Sequence, residues 1–425
     1  MRKVILASFL IALLILLGGI FFIYNNLKVN IEVVSTLQKW GLETPLQIKV
    51  NSNFNIPFGE IRIFAEQNGK RVELYKGPIS KYEGSYTLKP KDAGFTDGPV
   101  KVVAILKLPF KEEKLLEETF TVDLNPPFLE ILDEPHYLKV GEPGVLTVRS
   151  SEKLKDAYIR FGNATFPLLE VGNNVYKTTF TVPLFALKTP ESFYIEAQDL
   201  AGNKVEKFVP VPVRLVKFRK VKITLSKETL LKIVLKYFNK PENLVEQFKT
   251  INEVYRKEDE KKLWKIGKNS SAELYAKDRF LQLPGSAVMA RYGDHRFYYY
   301  NGKLISESFH KGLDLAKYRH APVVAANNGK VIFVGHLKIY GNAVIIDHGF
   351  GVETLYGHLN DFTVKEGDFV KKGQVIGHTD TTGLALGDHL HFGVLIWGYA
   401  ANPIYFFDGR YLKYHFYKFF KKTSP

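Results

Sequence analysis

Cysteine is absent from the 425 residues, so no disulfide holds this chain together and no thiolate can take up a metal. Any metal would fall to histidine, aspartate or glutamate. Neither an H-E-x-x-H pair nor two C-x-x-C knuckles occurs, which removes the commonest zinc patterns. Acidic residues are scarce beside basic ones, 44 against 59, giving a formal charge of +15. Such a surface is drawn to an anionic polymer, and outside a membrane that means cell wall or lipid headgroup rather than nucleic acid. A generally soluble basic surface explains the charge equally well. Long apolar runs are also lacking, with one exception: residues 4–24, uncharged throughout, which follow Arg2 and Lys3.

As a helix that run covers about 30 Å, enough to cross a bilayer. The positive residues before it predict a cytoplasmic tip, with the rest of the chain on the other side. A cleaved signal peptide is the rival, but its apolar region would be only about 7–15 residues long and end in an A-x-A-like site, which is not found. The expectation is a single-pass anchor in the cytoplasmic (inner) membrane over residues 1–29, with the bulk periplasmic or otherwise extracytoplasmic.

From about 30 to 215 short alternating runs separated by turn residues predict strands, among them LQIKV (46–50), IRIFA (61–65) and VKVVAIL (100–106). Pro126 and Pro127 mark a break, because neither donates a backbone hydrogen bond and the first restricts Asn125. A second set follows, from VLTVR (145–149) to SFYIEAQDLAGNKVEKFV (192–209), whose AQDLAGN turn resembles the last hairpin of bacterial immunoglobulin-like domains. The fold class expected is mainly β and multidomain, with two immunoglobulin-like sandwiches at 30–125 and 126–215. They read as spacers or docking domains.

Past Ser226, a good N-cap, Leu230, Leu231, Val234, Leu235 and Phe238 recur at helical spacing, and Pro241 opens a second amphipathic stretch. This predicts a short helical linker over 216–284. The hairpin it forms could also cover a cleft and keep an enzyme latent.

All but one of the eleven histidines lie at or after His295. In GDHLHFG (387–393), His389 and His391 would share one face of a strand while Leu390 faces the other way. In FHKGLDLA (309–316), read as a strand, His310, Gly312 and Asp314 share a face, and Gly312 leaves no side chain between two possible ligands. One of the paired histidines could complete a two-histidine, one-carboxylate set. Three protein ligands with a fourth position free is the arrangement of catalytic zinc. Strand-like segments lie between, with Gly349 and Gly351, then Gly367 and Gly373, at the turns.

The order H-K-G-x-D-x-A, Y-G-x-x-V-x-I-x-H-G, Y-G-H-L, V-x-x-G-x-x-V-x-x-G-Q-x-I-G and H-L-H-F resembles the lysostaphin-like, LytM-type zinc metallopeptidases over about residues 290–405. The resemblance implies a β-rich peptidase domain with a duplicated hybrid motif at 285–425, holding one Zn2+ per chain. It puts the ligands on His310, Asp314 and His391 and the two non-ligand active-site histidines on His358 and His389. It implies an endopeptidase that hydrolyses cross-links or stem peptides of peptidoglycan, for cell-wall remodelling. Zinc would polarise the scissile carbonyl and acidify its water, leaving His358 and His389 for proton transfer and oxyanion stabilisation. RYGDHRFYYYNG (291–302) resembles the stretch that borders the substrate groove in envelope-anchored members. Two departures are Asp388 before the first histidine and Gly393 after the phenylalanine; Asp388 either shifts His389 or faces solvent.

The alternative is a catalytically silent LytM-type activator of wall amidases, whose mark, a missing ligand, is not seen. A lipoyl or biotinyl carrier would need a modifiable lysine at the hairpin tip, which 364–377 does not provide. His348, in the IDHG turn, reads as a hairpin residue rather than part of the site. The partners expected are peptidoglycan and the membrane, with no nucleic acid.

Overall fold

The computed structural model describes residues 2–188 and 191–420, so Met1 and residues 421–425 at the ends of the expected anchor and peptidase domain lie outside the described residues. Two compact units form: residues 1–127 with returns at 153–155 and 198–205, and the remainder of the chain.

In the first unit an apolar helix, Arg2–Asn26, precedes two sheets. Among the described residues, 8–26 is the one helical stretch long and apolar enough to cross a membrane. One sheet orders Val29–Ser35, Thr44–Ser52 and Tyr82–Leu88; the other orders Lys70–Ile79, Ile56–Gln67, Gly98–Leu108 and Lys111–Val122. Alternation decides which face is buried: Leu46, Ile48 and Val50 of the first sheet meet Ile61, Ile63, Val100 and Val102 of the second in one core, closed by the fully buried Trp40.

The second unit begins with another pair of four-stranded sheets. Phe180, from Val175–Thr181, meets Phe193 of the facing sheet at 4.9 Å between ring centroids, and Phe161 backs Phe193 at 4.5 Å. A strand, Lys220–Thr224, follows, then helices at Lys227–Val234 and Leu244–Lys249, a π-turn at Thr250–Tyr255, and a helix at Arg256–Gly267. Ser226 caps the first helix, its Oγ accepting from Thr229 N at 3.1 Å. Pro241 does not open the second helix. Asn243 does, by accepting from Glu246 N, so the proline sits in the connection before it. Leu235, expected on the apolar face, ends the helix and is exposed.

The last part is built on an antiparallel sheet in the order Ala287–Ala290, Leu313–Ala316, Leu390–Ile396, Val352–Gly357, Gly341–Asp347, Gly329–Leu337 and Phe369–Val370, with Tyr399–Ala401 on Leu390–Ile396. Its central strands are buried on both faces and read accordingly as near-continuous apolar runs. Beside it, Lys220–Thr224 pairs in parallel with His295–Tyr300, which pairs antiparallel with Lys303–Phe309. A segment read as linker therefore contributes a strand to the sheet that leads into His310.

Candidate active site

The stretch 309–316 is not one strand. Lys303–Phe309 stops at its end and Leu313–Ala316 starts a new one, because His310 exchanges backbone hydrogen bonds with the turn before it: His310 N donates to Asp294 O at 3.0 Å, and Gly293 N donates to His310 O at 2.8 Å. The break still brings His310 and Asp314 together. Asp314 is the register partner of His391 on the neighbouring strand, and Gly357, just before His358, is the partner of His391 on its other side. Adjacent strands thus deliver the side chains that the sequence scatters over eighty residues.

His310 Nε2, Asp314 Oδ1 and His391 Nδ1 form a triangle with sides of 2.9, 3.0 and 3.1 Å. The His310 ring is fixed by Nδ1–H donating to Arg291 O at 3.0 Å, which leaves Nε2 as a lone pair. His310 Nε2 and Asp314 Oδ1 then face each other as acceptors in a buried site, with His391 Nδ1 within hydrogen-bond distance of both, and a cation would satisfy all three together. In tetrahedral zinc sites with bonds of about 2.0–2.1 Å the donors stand roughly 3.3–3.4 Å apart, so the triangle needs to open only slightly. Gly312 makes room for it: a Cβ there would come within 2.8 Å of His391 Nε2 and 2.4 Å of Phe392 O. The residues present fit a metal.

His358 and His389 stand beside the triangle with ring centroids 4.8 Å apart. His389 lies just ahead of the strand Leu390–Ile396; its Nδ1–H donates to Gly387 O at 2.7 Å and its Nε2 is 3.6 Å from Asp314 Oδ1. His358 follows the end of Val352–Gly357 in the left-handed region, φ 62°, which costs a non-glycine residue about 1–3 kcal/mol. Tyr340 O accepts its backbone N–H and Thr382 O its Nδ1–H, both at 2.7 Å. Its Nε2 is left as a lone pair toward the cleft. Burial, with His389 and His391 nearby, pushes the His358 imidazole well below its ordinary range. Burial works the same way on His389, but the hydrogen bond and charge of Asp314 outweigh it and raise that imidazole. Burial would lift the Asp314 carboxyl, yet the surrounding histidines, His310 foremost, hold it well below the carboxylate range.

The five residues line one cavity of about 190 Å³ with Arg296, Tyr298, Tyr340, Leu384 and, from the helical segment, Ile233 and Phe248. Tyr298, from the aromatic run at 296–301, is cleft wall, while Tyr300 of the same run packs against the core cluster behind it. Arg296 was missed in the sequence: only one-fifth exposed, it donates to Asp314 Oδ2 at 2.8 Å, so one oxygen of the carboxylate is held and the other is presented. Asp388 is half-buried; it accepts from Thr379 Oγ1 and, at the surface, from His320 N, tying the loop that precedes His389. His348 is fully buried away from the cavity, bonded to Asn328 O at 2.6 Å and Thr354 Oγ1 at 2.8 Å. Gly349, φ 93°, makes the hairpin turn beside it, where a Cβ would strike Glu273 O.

The model of Peptidase family M23 matches residues 308–403. A DD-carboxypeptidase/endopeptidase (Mpg) of Neisseria meningitidis serogroup B is 45% identical over 95 residues, 22% of this chain and 22% of that protein. The peptidoglycan DD-endopeptidase ShyB of Vibrio cholerae is 42% identical over 87 residues, 20% of each chain. The murein hydrolase activator NlpD of Salmonella dublin is 34% identical over 116 residues, 26% of this chain and 30% of that protein. The chain thus spans under a third of the length of these relatives.

Proposed function

The C-terminal part of this chain is a peptidase domain of family M23, and from that premise we propose that the protein is a zinc endopeptidase that hydrolyses cross-links or stem peptides of peptidoglycan. The observation that carries the reading is the triangle of His310, Asp314 and His391, with two further histidines on its open side. Zinc held by these three would polarise the scissile carbonyl and lower the pKa of water. His358, neutral and with its Nδ1–H committed to Thr382 O, offers Nε2 to take the water proton. His389, the more basic of the two, is suited to donate a proton to the departing nitrogen and to face the oxyanion. Arg296 orients Asp314.

We divide the chain into an anchor at 1–29, immunoglobulin-like sandwiches at 30–125 and 126–215, a linker at 216–284 and the peptidase domain at 285–425. The apolar helix would hold the protein in the cytoplasmic membrane, with the sandwiches carrying the active site toward the wall on the extracytoplasmic side.

The test is digestion of purified peptidoglycan sacculi, with the released muropeptides read by mass spectrometry, with and without chelator, beside His389→Ala. New peptide ends that disappear with chelator and in the variant are expected. The NlpD relative keeps a second reading in view, a silent activator. Zinc bound without cleavage, together with stimulation of an added amidase, would replace the peptidase by that reading.

A further inference from the structure

We propose that Lys236, in the turn after the helix Lys227–Val234, is a positioning residue for His358. The inference rests on His358 acting as the base of the peptidase proposed above.

The loop 381–388 runs between the strand Val375–His378 and His389. Its backbone oxygens are divided between two tasks. Thr382 O accepts from His358 Nδ1. Thr381 O, Gly383 O and Ala385 O turn the other way and accept from Lys236 Nζ at 2.6, 3.2 and 2.7 Å. An ammonium has three donors and no acceptor, so this fork uses all of it. Without it, Thr381 O and Gly383 O, at the surface, exchange the ammonium for water, while the part-buried Ala385 O loses its donor, and the loop, no longer tied to the helix, shifts. Thr382 O lies between two of them and would move too.

The next residue supports the other side. Tyr237 OH donates to Lys338 O at 3.0 Å, beside the segment whose Tyr340 O accepts the backbone N–H of His358. The end of one helix, anchored by buried Leu230, Ile233 and Val234, thereby bonds to chain neighbours of both backbone oxygens that accept from His358. The family model matches from residue 308, so Lys236 and Tyr237 lie outside it and add to what the matched stretch supplies itself: Thr382 Oγ1 donates to Leu359 O and accepts from Asn342 N, and Leu384 N donates to Ile339 O.

The full-length chain in detergent is compared with Lys236→Met, Lys236→Arg, Tyr237→Phe and, as a control on the exposed face of the same helix, Lys232→Met. Substrate is a soluble cross-linked muropeptide dimer; kcat, KM, bound zinc and unfolding temperature are measured. Misplacing a reacting group by about 1 Å costs roughly 100-fold. We expect Lys236→Met to lose about 10- to 100-fold in kcat with KM and zinc content unchanged, Tyr237→Phe to lose less, Lys236→Arg to regain part, and Lys232→Met to match wild type. An unchanged kcat in Lys236→Met overturns the proposal, as does a loss of zinc or folding in step with activity. If wild type cleaves nothing, the peptidase reading fails on its own. The positioning claim is then read from the downfield Nδ1–H resonance of His358 in histidine-labelled protein: its disappearance in Lys236→Met supports the claim and its persistence ends it.

Discussion

Arg296 illustrates what a single side chain contributes when its partner is a proposed metal ligand. A carboxylate that offers one oxygen to a cation leaves the other free to rotate in and compete; a guanidinium on Oδ2 prevents that, while the surrounding histidines, His310 foremost, keep the group ionised despite burial. Replacing it with glutamine keeps a donor and removes the charge. Arg296→Gln should bind zinc about 10- to 100-fold more weakly in a chelator competition, with little change in unfolding temperature of the zinc-loaded protein. Unaltered zinc affinity would show Arg296 to be cleft wall only. That His310, Asp314, His358, His389 and His391 come together in one cavity was legible because their spacing repeats a known order. Arg296 was not, since an arginine within a run of aromatics gives no periodic signal and its partner lies across a turn whose path depends on Asp294. The carbonyls of Thr382 and Gly387 are invisible for a plainer reason: backbone acceptors have no letter in the sequence.

At the scale of elements, the sandwich strands and the turns at Gly349 and Gly373 followed from alternation and glycine placement, whereas the linker did not. Its strand, Lys220–Thr224, pairs in parallel with His295–Tyr300, Val221 opposite Arg296, and no local pattern announces a partner seventy-five residues away. Arg219 then grips Asp294, Nε to Oδ1 at 3.0 Å, and Asp294 in turn accepts from Arg291 N, the residue whose carbonyl fixes His310. A helical cover that merely silences an enzyme would have no reason to share a sheet with it. A fragment of residues 285–425 should therefore bind zinc poorly and cleave at least 10-fold more slowly than residues 128–425, because it leaves the His295–Tyr300 edge and Tyr298 uncovered. Faster cleavage by the shorter fragment would support the latency reading.

For the whole molecule, the second sandwich is bound into the same unit as the peptidase sheet: Trp397 Nε1 donates to Thr178 Oγ1 and Thr179 O, both at 3.1 Å, and Asn402 N to Gly141 O at 2.8 Å. It is a mount rather than a loose spacer. The apolar helix predicts that the chain sediments with membranes, resists carbonate extraction and keeps its full 48.5 kDa mass. A soluble form shortened by the length of residues 1–29 would instead mark a cleaved signal. The tie between Arg219 and Asp294 also bears on how such proteins can be rearranged. A recombination event that moved only residues 308–403 into a new chain would carry all three proposed ligands and neither of the cations, Arg219 and Lys236, that bond to the turns around them. In this chain the piece that holds both the histidine and aspartate cluster and these cations is therefore longer than the stretch the family model matches, and it starts near residue 219.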